Sequence, residues 1–131
     1  MSRTLVTGGA GFVGSALVRA LLRRGNEVSV LARKTSDLAN LEGLSAKIHY
    51  GDVYYPESLR TAMRGIEVVY HTASVYRFFP WWKKKVPPIY KINVEGTRNV
   101  IAAAKREGVR RLVYTSSIIT VGRKKDGGLS N

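Results

Sequence analysis

Near the start of the chain, between a strand-like run and a helix-like run, lies Thr7-Gly8-Gly9-Ala10-Gly11-Phe12-Val13-Gly14. No other feature limits the fold as much. Gly9, Gly11 and Gly14 fit the spacing G-x-G-x-x-G, and Gly8, Gly11 and Gly14 fit G-x-x-G-x-x-G. The physical reading is the same for both. An early glycine makes a tight turn out of the strand, Gly11 lets the main chain approach a diphosphate, and Gly14 lets the helix pack close to the sheet. The helix that opens there offers N–H groups without intrahelical acceptors, at the positive end of its dipole, to an anion. Thr7, Gly8, Gly9, Gly11, Phe12, Val13 and Gly14 are therefore candidate nucleotide contacts. The plainer alternative is a turn with no ligand, but the strand before and the helix after favour the nucleotide.

The rest of the chain repeats one grammar three times: a helical stretch ending in charged residues, a glycine, and then a β-rich run. The instances are Arg23-Arg24-Gly25 before Glu27–Leu31, Arg64-Gly65 before Ile66–Tyr70, and Arg106-Glu107-Gly108 before Leu112–Tyr114. Glycine accepts the left-handed conformation that ends a helix, and basic residues complement the dipole there. Strands are expected near 3–7, 27–32, 46–50, 66–71 and 110–115, and helices near 11–24, 56–64 and 88–107. Pro56 suits the first turn of the second helix. In the third, Asn93, Thr97, Val100, Ile101 and Ala104 are expected on one face. Alternating strands and helices imply an α/β fold, a Rossmann-type doubly wound parallel sheet with right-handed crossovers. It reads as truncated after the fifth strand, with residues 1–131 forming one domain.

Composition narrows the function classes. There are no cysteines, which excludes disulfides, thiolate zinc sites and cysteine nucleophiles, and no metal site is expected. No apolar run approaches the roughly 20 residues of a membrane span, and no secretory leader is visible, so a cytoplasmic protein is expected. The formal charge of +13 favours anionic partners. No nucleic-acid recognition motif accompanies it, so nucleic acid is not expected as a partner.

The end of the second strand bears on cofactor choice. NAD-selective sites commonly place Asp or Glu about 20 residues beyond the glycine turn, on the ribose hydroxyls. Here the chain reads Leu31-Ala32-Arg33-Lys34-Thr35-Ser36. Arg33 and Lys34 suit a 2′-phosphate through charge-assisted hydrogen bonds, so NADP is expected over NAD. A solvated basic loop is the plain alternative.

Five ordered segments, covering essentially the whole chain, resemble the extended short-chain dehydrogenase/reductases, also called the NAD-dependent epimerase/dehydratase family. They are the glycine motif at 7–14, Gly51-Asp52-Val53, His71-Thr72-Ala73-Ser74, Asn93-Val94-Glu95-Gly96-Thr97, and Tyr114-Thr115-Ser116-Ser117. Leu31–Asp37 and Asn93–Val100 are most similar to dihydroflavonol-reductase-like and hopanoid-associated sugar epimerase-like members. The resemblance implies that Asp52 and Val53 lie near adenine, that Thr72, Ala73 and Ser74 line the cofactor, and that Asn93, Thr115 and Ser116 lie beside it. Ser117 aligns best with the active-site serine, and Ser116 is the near alternative. Each has a structural counterpart: Asp52 as a turn cap, Asn93 as a bridge between backbone groups, and the serines as a strand end. No acid–base role is assigned to His71.

The resemblance also implies a tyrosine and a lysine spaced Tyr-x-x-x-Lys, the lysine lowering the tyrosine pKa for proton transfer. None of the seven tyrosines has lysine four positions on. The chain is therefore expected to be the cofactor half of a longer oxidoreductase or epimerase, inactive alone, acting on a sugar nucleotide, hydroxy-ketone or sterol-like alcohol. A non-catalytic NADP-binding or redox-sensing module is the alternative. An open sheet edge would favour self-association into a homo-oligomer. Phe78-Phe79-Pro80-Trp81-Trp82-Lys83-Lys84-Lys85 has three readings: a substrate or lid loop, docking against a missing half, or, as the minor one, contact with a membrane surface.

Overall fold

The computed structural model describes residues 1–75 and 89–117. Five strands, β1 (Arg3–Thr7), β2 (Glu27–Ala32), β3 (Lys47–Tyr50), β4 (Val68–His71) and β5 (Arg111–Tyr114), pair in the order β3-β2-β1-β4-β5. Every pairing is parallel. The helices are α1 (Phe12–Arg23), α2 (Pro56–Met63) and α3 (Thr97–Arg106). A 3-10 turn spans Ala39–Leu41, and a π turn, Lys91–Gly96, runs into α3. Sheet order and helix placement agree with the doubly wound expectation.

The period-two geometry of strands sends neighbouring residues to opposite faces. Val6, Val28, Val30 and Ala32 pack with Val18 and Leu21 of α1 and with Leu41. Leu5, Leu31 and Val69 pack on the other face with Leu59, Ala62 and Met63 of α2 and with Val100, Ala103 and Ala104 of α3. Two-sided cover explains why these strands read as almost unbroken apolar runs. Gly25, Gly65 and Gly108, each with φ of 70–74°, follow the helices as the repeated grammar requires.

Several boundaries differ from the sequence expectation. β4 begins at Val68, because Ile66 closes the turn after α2 by donating its N–H to Met63. β5 is confined to 111–114. Ile101 does not share the buried face: it is 51% exposed, and Ala103 takes the buried position. The inward stripe runs i, i+3, i+4 from Val100, which turns Ile101 about 100° away. Among the described residues, no helix is long and apolar enough to cross a membrane.

Candidate functional site

A cleft of about 250 Å³ opens at the carboxyl ends of β1 to β4. In an open parallel sheet this crevice forms where the winding reverses, here between β1 and β4. Gly8, Ala10 and Gly11 form one wall, and Leu31, Ala32, Arg33 and Ser36 the next. Gly51, Asp52 and Val53 close the far side, and residues 72–75 with Ile92 the remaining one.

The glycines of the turn do different jobs. Gly8 has φ of +73°, and a Cβ there would lie 2.7 Å from the Ala73 nitrogen, so both conformation and space demand glycine. A Cβ on Gly9 would lie 2.7 Å from a methyl of Val30. A Cβ on Gly14 would overlap the Gly8 carbonyl, so this glycine seats α1 against the turn itself rather than against a strand. Gly11 is unlike all three. Its φ of −75° and ψ of 174° suit any residue, and the nearest atom to an added Cβ is the Gly8 oxygen at 3.3 Å. Conformation therefore does not require bare main chain at Gly11, while an added Cβ would need the Gly8 carbonyl to give by a few tenths of an ångström.

Thr7, Gly9 and Gly14 are buried and stand outside the cleft lining. Phe12 and Val13 sit in the first turn of α1, 90% and 60% exposed and outside the cleft lining. Arg33 lines the cleft, while the exposed Lys34 does not. The Arg33 backbone is held in a turn: its N–H donates to Ser36 Oγ at 3.2 Å, and its carbonyl accepts the Ser36 N–H at 2.9 Å. Asp52 both lines the cleft and caps a turn, its Oδ1 accepting the Tyr54 N–H at 2.9 Å.

Asn93 is a clamp. Its Oδ1 accepts the Val75 N–H at 2.8 Å, and its Nδ2 donates to the Val75 carbonyl at 2.9 Å. Both ends of the amide thus hold the loop that lines the cleft. The π turn carries Asn93 within this reach. Thr115, Ser116 and Ser117 follow β5 and are exposed. The Thr115 N–H extends the ladder to the His71 carbonyl at 3.1 Å. The segment Phe78–Lys85 lies outside the described residues.

The surroundings of His71 give it a structural task. It is fully buried. Thr97 donates its hydroxyl to the Asn93 carbonyl at 2.7 Å, so at 2.9 Å it accepts from His71 Nε2–H. That leaves Nδ1 to accept the Thr7 hydroxyl at 2.6 Å. The Thr7 carbonyl in turn accepts the Thr72 hydroxyl at 2.7 Å. One neutral tautomer therefore ties the end of β1, the 72–75 loop and the third helix together. Burial pushes the His71 pKa down to about 4, which keeps that tautomer in place at neutral pH. Sequence reasoning could not find these pairs, because 64 residues separate Thr7 from His71. It also missed Ser36, Val75 and Ile92 in the cleft.

Comparison with known proteins places this geometry. The model of the 3-beta hydroxysteroid dehydrogenase/isomerase family matches residues 5–129. Sterol demethylase protein B of Methylococcus capsulatus is 43% identical over 124 residues, covering 95% of this chain and 37% of that protein. A putative dihydroflavonol 4-reductase of Synechocystis is 42% identical over 122 residues, covering 93% and 34%. The UDP-glucose-4-epimerase of Stenotrophomonas maltophila, solved with bound NAD and formylated UDP-arabinopyranose, superimposes with a TM-score of 0.82 at 25% identity, covering 95% of this chain and 40% of that one. The chain thus spans little more than a third of the length of the curated relatives it matches. With the family model matching nearly end to end over a parallel sheet and a glycine-walled cleft, the chain belongs to the 3-beta hydroxysteroid dehydrogenase/isomerase family of extended short-chain dehydrogenases/reductases.

Proposed function

We propose that this chain is the dinucleotide-binding part, residues 1–131, of an oxidoreductase or epimerase that prefers NADP, and that the diphosphate lies against Gly11. The observation that carries the reading is the glycine at 11: its backbone conformation suits any residue and an added Cβ would crowd only the Gly8 carbonyl, by a few tenths of an ångström, yet it lies exposed at the cleft. A ligand approaching the main chain supplies the missing reason. The first N–H groups of α1, at Phe12, Val13 and Gly14, lack intrahelical acceptors and suit that anion. The epimerase named above was solved with NAD in the corresponding fold, which supports a nicotinamide dinucleotide here.

Within that reading, Arg33 pairs with a 2′-phosphate, Gly51, Asp52 and Val53 border adenine, and Thr72, Ala73 and Ser74 follow the cofactor toward its nicotinamide end. Bound nicotinamide supplies hydride acceptance and return. Ser117 hydrogen-bonds the substrate oxygen, and Ser116 borders the cofactor beside it. The substrate is an alcohol or ketone of the sugar-nucleotide, hydroxy-ketone or sterol class, in keeping with the sterol demethylase and dihydroflavonol reductase relatives.

Fluorescence titration of the protein with NADPH and NADH tests the assignment. NADPH is expected to bind at least about tenfold tighter, and Arg33→Ser to erase most of that margin, since a charge-assisted hydrogen bond contributes roughly 1.5–3 kcal/mol. Equal affinities in the unaltered protein would refute the NADP preference. Failure of both nucleotides to bind would refute the function.

A further inference from the structure

The glycine turn is pinned from outside by a residue that the cofactor reading does not use. Asn40 lies in the 3-10 turn Ala39–Leu41, which packs on α1 through the buried Leu41. Its Nδ2 donates to the Ala10 carbonyl at 3.1 Å, and its own carbonyl accepts Arg19 Nη2 at 2.6 Å. On the other side of the same peptide unit, the Gly11 N–H donates to the Gly8 carbonyl at 3.0 Å. A trans peptide sends its C=O and N–H in opposite directions. The Ala10–Gly11 plane is therefore held at both edges, by Asn40 and by Gly8.

Orientation matters here because Ala10 and Gly11 line the cleft. A carbonyl turned toward a bound diphosphate sets a partial negative charge against an anion. A carbonyl engaged by Asn40 is kept off the ligand and needs no rearrangement when the ligand arrives. We infer that Asn40 is a positioning residue for the diphosphate: it fixes the Ala10–Gly11 peptide so that the cradle presents no acceptor to the anion. This rests on the proposed place of the dinucleotide along the glycine turn. The residue reaches the turn from 30 positions further along the chain. It lies only four residues beyond Ser36, which turns back on Arg33. The segment that presents Arg33 to the ribose thus also braces the diphosphate wall.

The test compares the unaltered protein with Asn40→Ala and Asn40→Gln, using NADPH and adenosine 2′-monophosphate, which lacks the diphosphate. Asn40→Ala is expected to weaken NADPH about fivefold, in proportion to one neutral hydrogen bond. It should leave adenosine 2′-monophosphate affinity unchanged. Asn40→Gln, which retains an amide donor, is expected to recover part of the loss. Equal weakening of both ligands would mean general loosening and would overturn the inference, as would unchanged NADPH binding in Asn40→Ala. If the unaltered protein binds no dinucleotide at all, the functional reading fails and this inference fails with it. Loss confined to the variant's NADPH affinity supports both.

Discussion

Acid should release the clasp formed by His71, and the size of the effect follows from its burial. The ring is neutral in the folded protein, with its pKa lowered from 6.5 to about 4 by desolvation. Between those values the unfolded chain holds the proton and the folded protein does not, so lowering the pH favours unfolding. The stability that His71 carries is complete above pH 6.5 and is lost as pH falls toward 4. A shift of this size corresponds to about 3 kcal/mol in all, of which about 2 kcal/mol falls between pH 7 and pH 5. The assay is urea denaturation at both pH values and one ionic strength, on the unaltered protein and on His71→Asn. The unaltered protein should lose about 2 kcal/mol more than the variant over that interval, a midpoint difference of roughly 1 M urea. His49 is also shifted down, by partial burial and by Lys47, but it is common to both proteins and cancels in the difference. The variant itself should be weaker at pH 7 by about 1–3 kcal/mol, because Thr7 and Thr97 lose their partner. Equal pH dependence in the two proteins would refute the reasoning, and so would an NMR titration placing His71 near 6.5.

Other substitutions separate packing from binding. Gly14→Ala forces a methyl into the Gly8 carbonyl and should destabilise the fold by at least about 3 kcal/mol, read as a lowered melting temperature. Gly11→Leu crowds the Gly8 carbonyl and puts a poor N-cap on α1, so melting should fall modestly while NADPH affinity falls at least tenfold; unchanged affinity would remove the diphosphate from this wall. Asn93→Ala frees the Val75 N–H and carbonyl together, at about 1 kcal/mol for each bond. Hydrogen exchange at Val75 should then accelerate at least tenfold while Val69, inside β4, is unaffected; equal protection in both proteins would show that other contacts hold the loop.

What the sequence disclosed and what it withheld divide along a physical line. Strands covered on both faces must be apolar nearly throughout, so Leu5, Val6, Val30, Leu31 and Val69 marked their elements directly. The helix ends were legible because Gly25, Gly65 and Gly108 adopt a conformation that other residues resist. The 3-10 turn at 39–41 is too short to show a period, and the π turn at 91–96 is invisible to a 3.6-residue template. Ile101 was misplaced because i+7 and i+8 both lie near the same face, and only packing against α2 and the sheet chose Val100.

The cleft was legible in its glycines and only partly in its polar residues. Gly8 and Gly11 advertise themselves locally, whereas Thr7, His71, Asn93 and Asn40 act through partners 18 to 66 residues away. The topology nevertheless makes such partnerships necessary. In a parallel sheet, chains leave neighbouring strands side by side and diverge, so backbone groups just past the strand ends soon run out of ladder partners. Thr72 and Thr115 extend the ladder by one step each. Beyond that step, a side chain must take over: Asn93 serves Val75, and Asn40 serves Ala10. A crevice at this edge of the sheet is therefore lined by main chain that polar side chains hold from behind. Gly11 itself stays exposed at the cleft, as the proposed diphosphate position requires.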